Sequence, residues 1–385
     1  MNKKNICLIS RSLYPIKIED HSQNMKTFDG WLRFWDNVVI ISQCNSNKLH
    51  ESQYKNVYGI LLPLASNRYF NVLYFTISGL LSIRRQNKQF NFDLYQASDA
   101  GGAILALLAS RLYKKKFLFE VQGDIFDYPD KVGGKVHSRL VKFFSELIVK
   151  KADYVRIVSP FLLQPLDRFN VPREKVFLVP PRCDSGLFNG NNVSKEKWDI
   201  FNKSKYNLLF VGNLLIAKGV DILLDAFSLI VNECPDICLI MVGDGQEKNN
   251  IIAQAKKLNI QSNVVLLGRV DYQMIPSLMH YSDQLILPSI EEGVGRVLLE
   301  AMAMRLPIVA SNVGGIPLLI DDKKEGLLFE VGDKQALKES VLFLLNNPQF
   351  TEEMIDKAYT KFLCNYEYEV SMEIFLKMYK TIFAN

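Results

Sequence analysis

Short apolar runs rich in β-branched residues alternate along the chain with stretches whose apolar positions recur every three or four residues. That alternation marks parallel sheets assembled from βαβ units. The runs fall into two sets. In the first half, strands are predicted at Asn5–Ser10, Val38–Ser42, Phe92–Gln96, Phe117–Glu120, Tyr154–Val158 and Val176–Val179. In the second half, they are predicted at Asn207–Gly212, Cys238–Val242, Val264–Leu267, Gln284–Leu287, Ile308–Ser311 and Gly326–Phe329. Between the sets, Pro180–Lys203 is polar, contains Pro-Pro and Asn-Gly, and lacks apolar periodicity, so it reads as a linker. Beyond Phe329 the pattern is helical, and Tyr366–Phe383 places Val370, Ile374, Phe375, Met378 and Ile382 at helical spacing. The expected fold is α/β, with a doubly wound parallel-sheet domain over 1–185, a second over 200–363, and a helix over 366–385 packing back on the first. Two such domains facing each other would gather ligands at the carboxyl ends of their strands.

At 385 residues, with 48% hydrophobic and 23% charged residues, the chain can bury two cores and is not disordered. Its first ten residues carry too short an apolar run for a signal-peptide core. The longest apolar stretch, Asn71–Ile83, falls short of the roughly 20 residues that span a bilayer. A cytoplasmic location is expected. The six cysteines show no metal-ligand pairing and read as reduced thiols. The four histidines form no H-x-x-x-H pair, and no Asp-x-Asp is present, so neither a metal nor a resident cofactor is expected.

Charge is unevenly divided. Up to Ser185 there are 27 Lys and Arg against 16 Asp and Glu, and after it 19 against 25. The basic half either meets something anionic, such as a membrane surface or a lipid diphosphate, or is simply a solvated surface. Within it, Asn67–Lys88 combines aromatic and aliphatic residues with Arg68, Arg84, Arg85 and Lys88. That segment either lies in a membrane interface or packs as an ordinary helix on the first sheet.

The densest chemistry lies in Pro288–Pro317, which reads as strand end, glycine loop, helix, strand and second glycine turn. A loop holding Gly293, Val294 and Gly295 before a helix aims free N–H groups and the positive helix end at one spot, where a diphosphate fits. Glu292 and Glu300 flank that loop. Facing phosphate they would repel it, so they are read as acceptors for the hydroxyls of a sugar and a ribose. Taken alone, a carboxylate near a helix start could equally serve the dipole.

The Glu292-to-Glu300 pattern, with glycines after the first Glu and Glu-Ala-Met-Ala after the second stretch, resembles glycosyltransferase family 4. The resemblance spans nearly the whole chain and is tightest over Leu208–Asp333. It implies a GT-B fold, a nucleotide-diphosphate sugar donor such as a UDP- or GDP-sugar, and transfer to an acceptor hydroxyl with retention. The segment Leu209-Phe-Val-Gly-Asn-Leu-Leu-Ile-Ala-Lys-Gly-Val-Asp resembles the family's first C-terminal strand and loop, which implies that Lys218 contacts the donor diphosphate. Leu239-Ile-Met-Val-Gly-Asp-Gly and Leu266-Leu-Gly-Arg-Val-Asp resemble the strands around the base, which places Gly243 and Val270 beside it.

Several positions depart from the family. Its frequent Gly-Arg-Leu is Gly212-Asn213-Leu214, so Asn213 replaces a positive charge that Arg296 could supply. After the first strand, Ser10-Arg-Ser-Leu-Tyr-Pro carries the acceptor-side candidate Ser12, but the usual Gly-Gly is Ile18-Glu-Asp-His21. The usual His-Gly is Gln122-Gly123-Asp124, in which Gln122 can bind a hydroxyl but not exchange a proton, leaving Asp124 as a candidate base. Pro180-Pro-Arg-Cys-Asp184 resembles the family's linker, with Asp184 structural.

The catalytic set is therefore Glu292, Lys218 and Asp124. The implied setting is cell-surface polysaccharide or glycolipid synthesis, with a saccharide or lipid-linked acceptor. A Rossmann oxidoreductase is excluded, because Ser10–Asp20 contains no glycine. No recognition motif supports nucleic-acid binding. A nucleotide-sugar epimerase on the same fold and a nonenzymatic donor-binding subunit remain open.

Overall fold

The computed structural model describes residues 4–17, 25–64, 68–122, 135–194, 199–202 and 204–384. The chain divides into one unit of Met1–Val179 with Met372–Asn385 and a second of Pro180–Ser371.

The first unit contains β1 (Asn5–Leu13), α1 (Met25–Trp31), β2 (Asn37–Cys44), β3 (His50–Tyr54), β4 (Val57–Pro63), α2 (Arg68–Phe90), β5 (Leu94–Ala97) and α3 (Ala100–Tyr113). It continues through β6 (Lys116–Val121), α4 (Lys135–Lys151), β7 (Tyr154–Ile157), α5 (Leu163–Arg168) and β8 (Val176–Leu178). Its eight strands run in the order β3-β4-β2-β1-β5-β6-β7-β8. All pairs are parallel except β3 with β4. This hairpin is absent from the predicted strands. His50–Tyr54 alternates half-buried and exposed polar residues at a sheet edge, so it carries no apolar run to read.

The second unit contains β9 (Tyr206–Val211), α6 (Val220–Glu233), β10 (Ile237–Val242), α7 (Lys248–Lys257), β11 (Val264–Gly268), α8 (Ile275–His280), β12 (Gln284–Leu287), α9 (Arg296–Ala303) and β13 (Ile308–Ser311). It ends with α10 (Ile316–Leu319), β14 (Leu327–Phe329), α11 (Lys334–Asn346) and α12 (Pro348–Asn365). Its parallel sheet has the order β11-β10-β9-β12-β13-β14. Counted within the unit this is 3-2-1-4-5-6, the doubly wound order whose direction reverses between the first and fourth strands. Here these are β9 and β12, and the reversal opens a crevice at their carboxyl ends. Phe210, Phe227, Leu239 and Val341 are among the side chains that fill the core behind it.

The last helix, α13 (Tyr368–Ala384), packs on the first unit. Its inward stripe is Met372, Phe375, Met378, Tyr379 and Ile382. Ile374, predicted inward, is 38% exposed, because the stripe runs one position away from it. Beneath the helix, the Tyr379 hydroxyl donates to Gln96 Oε1 at 2.7 Å, and Phe375 lies 4.8 Å from the Arg156 guanidinium. Arg156 is ion-paired with the buried Glu120.

The segment Pro180–Ser185 was predicted within the first domain, but its contacts group it with the second unit. Cys183 N donates to Tyr366 O at 3.0 Å, and the Ser371 hydroxyl donates to Pro180 O at 2.8 Å. Asp184 accepts from Gly186 N at 2.8 Å within a tight turn. Among the described residues no helix is long and apolar enough to cross a membrane.

Candidate functional site

Loops at the carboxyl ends of β9, β12 and β13 converge at the switch point of the second sheet, and glycines let their backbones touch. Gly219 has φ +62°, and a Cβ there would collide with the Pro288 carbonyl oxygen. Gly314, at φ +58°, meets the Glu292 carbonyl oxygen in the same way. Only glycine accommodates both the left-handed backbone and the close approach. Hydrogen bonds from Ile290 N to Ala217 O (2.9 Å) and from Gly315 N to Glu292 O (3.2 Å) complete the lock.

This scaffold brings two charged side chains together. Lys218 Nζ lies 2.5 Å from Glu292 Oε2, which also accepts from the Ser289 hydroxyl at 3.2 Å. The pair is partly open, with side-chain exposures of 24% and 11%. Read separately in the sequence, one residue was set toward phosphate and the other toward a sugar hydroxyl. In the structure they are partners, so the lysine is held at the residue that precedes the glycine loop. Gly295, at φ +68°, caps α9, and its carbonyl accepts from Leu298 N in the first turn at 2.8 Å.

Glu300 lies one turn into α9 and is buried, only 6% exposed. It accepts a hydrogen bond from the Tyr272 hydroxyl at 2.8 Å, and Tyr272 packs edge-on against Phe188. Burial pushes the Glu300 carboxyl up from 4.5 to about 7, against the opposing pull of Arg296 and the Tyr272 hydrogen bond. Arg296 is exposed, one helical turn before Glu300. Gly243 N donates to Gly268 O at 2.8 Å, and a Cβ on Gly243 would collide with Gly212 O, so the ends of β9, β10 and β11 also meet through backbone. Val270 is half-buried just beyond β11, Val294 is buried, and Asn213 is exposed.

Tyr272 and Ser289 were not singled out from the sequence. Tyr272 follows the Leu-Gly-x-Val run by two positions, which was the one local signal. In the first unit, Ser12 and Gln122 are both exposed. Ser12 N donates to Ser10 Oγ at 3.1 Å. Asp99, also missed, ties the end of β1 to α3. It accepts from Ser10 Oγ (2.8 Å) and Arg11 N (2.6 Å) and caps the helix through Gly102 N (2.8 Å). Gly123, Asp124 and Ile18–His21 lie outside the described residues.

Two family models cover the two units in turn: a glycosyl transferase 4-like domain over residues 33–182 and glycosyl transferases group 1 over 193–361. The chain belongs to the family 4-like glycosyltransferases. An uncharacterized glycosyltransferase of Methanocaldococcus jannaschii is 29% identical over 302 residues, 78% of each chain. The N-acetyl-alpha-D-glucosaminyl L-malate synthase of Bacillus anthracis is 31% identical over 211 residues, 54% of this chain and 55% of that one. Among solved structures, Anabaena HepE in complex with UDP-glucose superposes with a TM-score of 0.77 at 17% identity, covering 98% of this chain and 100% of that one. The fold is therefore GT-B, with two Rossmann-like units, and the protein is a glycosyltransferase.

Proposed function

We propose that the second unit holds a nucleotide-diphosphate sugar across the β9/β12 switch point and that the enzyme transfers the sugar with retention. The diphosphate lies on the N–H groups of Gly293 to Gly295 and on Lys218, with Arg296 as a second cation. Glu292 receives hydroxyls of the sugar, Glu300 those of the ribose, and the backbone near Gly243 and Val270 borders the base. The anomeric C–O bond to phosphate breaks as the acceptor oxygen bonds the same face of the carbon. The acceptor proton passes to the departing phosphate oxygen, and the nucleoside diphosphate leaves. Charge growing on that phosphate is met by Lys218 and the loop N–H groups, the arrangement that usually contributes most to such catalysis.

On the acceptor side, the proposal assigns Ser12 and Gln122 of the first unit to hydroxyl contacts. The acceptor is a saccharide or lipid-linked hydroxyl in cell-surface polysaccharide or glycolipid synthesis. The observation that carries the reading is the Lys218–Glu292 pair, held part-open over a glycine-capped helix at the switch point.

Calorimetry against a panel of nucleotide sugars tests it. Glu300→Ala and Lys218→Ala should each weaken donor binding by roughly 1.5–3 kcal/mol, or about 10- to 150-fold, because each removes a charged hydrogen-bonding partner. Unchanged nucleotide affinity in a folded Glu300→Ala protein overturns the ribose assignment.

A further inference from the structure

The helix α2 is apolar on two opposite faces. One stripe, Asn71, Phe75, Gly79, Ile83 and Phe90, is turned inward. Gly79 lets α2 sit against α3, since a Cβ there would collide with Leu105. The Gln43 amide also clasps Asn71 at 2.8 Å, so this side of α2 is fixed in the unit. The outward stripe follows the helical repeat as Phe70, Leu73, Ile77 and Leu81, exposed by 58%, 56%, 52% and 64%, and then turns basic at Arg84 and Lys88. A helix that only covers a sheet carries polar residues there.

The exposed apolar surface does not stop at α2. Its neighbour α3 leaves Leu108 and Leu112 exposed, and α4, packed against α3, leaves Phe143, Phe144 and Leu147 exposed. Scattered exposed leucines need no explanation, but a run across three adjacent helices does.

The charges on the same helices decide what covers this run. α2 carries four basic residues and no acidic one, α3 one and none, and α4 five basic residues and the single acid Glu146. A second copy of this chain would bring like charge against like charge. An anionic bilayer presents negative headgroups around an apolar interior and matches both features.

We propose that the α2–α3–α4 face of the first unit docks on an anionic membrane surface. Phe70, Leu73, Ile77 and Leu81 enter the interface, and Arg84 and Lys88 lie among the headgroups. Arg85 is ion-paired to Glu51 and contributes less. The inference does not rest on the donor chemistry proposed above, and its test uses no nucleotide.

The full chain is floated with phosphatidylcholine vesicles prepared with and without phosphatidylglycerol. Wild type should float only with the anionic vesicles, and flotation should fall as salt rises, because surface attraction is screened beyond about 10 Å at 0.1 M. Arg84→Gln/Lys88→Gln should lower partitioning by about five-fold per charge removed. Leu73→Gln/Ile77→Gln/Leu81→Gln should lower it by more than about ten-fold, with an unchanged thermal melt because these side chains are exposed. The proposal is overturned if wild type stays in the soluble fraction with anionic vesicles at low salt. It is equally overturned if sedimentation shows a dimer that the triple variant dissolves while neither protein floats, since the face then joins copies of the chain.

Discussion

Each unit holds an ion pair near the carboxyl ends of two neighbouring strands, and the two pairs differ in what surrounds them. In the second unit, Lys218 and Glu292 sit on loops locked by glycine backbone contacts, with side-chain exposures of 24% and 11%. In the first, Arg156 and Glu120 bridge β7 and β6 under α13, with exposures of 8% and 9%. Both pairs join a basic side chain to a glutamate, but Lys218 and Glu292 are the more open of the two. The buried pair is held by Phe375 stacked over the guanidinium and by neighbours such as Tyr379, so it serves the docking of α13. On the function proposed above, accessibility and not residue type separates a ligand site from a structural joint.

Cutting each pair in turn tests this contrast most strongly. Glu120→Ala leaves Arg156 buried without its carboxylate and should destabilise the first unit by about 3–5 kcal/mol, read as a lower denaturation midpoint in urea. A loss below about 1 kcal/mol, the range of an exposed pair, would show that Arg156 finds solvent and that the two pairs are alike. Lys218→Ala should do the reverse. Stability should change by no more than about 1 kcal/mol, while kcat falls by about 10²–10³ if the lysine meets charge developing on the leaving phosphate. Steady-state kinetics with the best donor decide it, and a kcat within a few-fold of wild type would make the lysine structural.

Local signals made the second unit the more legible of the two. Its first four strands are short apolar runs closed by glycine or proline, and the predicted Gln284–Leu287 and Ile308–Ser311 match the observed bounds. Lys218 and Glu292 could be named because each lies beside glycines whose spacing is a local signal. Their mutual contact could not, since 74 residues separate them and only the backbone lock between the Gly219 and Pro288 loops sets the distance. Tyr272 was illegible for the same reason, as its hydrogen bond joins the turn after β11 to α9. The polar edge strand β3 and the outward turn of Ile374 were lost to a different cause: amphipathic period marks a buried face only when one face is buried. α2, apolar on two faces, is the extreme case.

Glu300 offers a pH test inside the legible unit. Its folded value of about 7 lies above the ordinary 4.5, so its contribution to stability is complete below about 4.5 and is lost as pH rises through about 7. Between about pH 4.5 and about pH 7.5, wild type should therefore lose up to about 3 kcal/mol that Glu300→Gln does not lose. Denaturation curves at several pH values measure the difference. Parallel pH profiles for the two proteins would mean that Glu300 stays ionised through its Tyr272 and Arg296 partners.

Chelation should produce the smallest effect, and it sharpens the contrast between an accessible pair and a buried one. A departing nucleoside diphosphate needs positive charge, and sugar transferases that bind a divalent ion supply it through paired aspartates. No Asp-x-Asp occurs in this chain. In the proposed donor site Lys218 and the N–H groups ahead of α9 supply that charge, and a helix N-terminus carries the equivalent of roughly half a positive charge. Turnover should therefore be unchanged by EDTA within assay error, for wild type and for the weakened Lys218→Ala protein alike. Activity lost on chelation and restored by magnesium or manganese would assign the leaving-group charge to a metal, and would reduce the partly open lysine to a companion of Glu292, no different in kind from the buried arginine of the first unit.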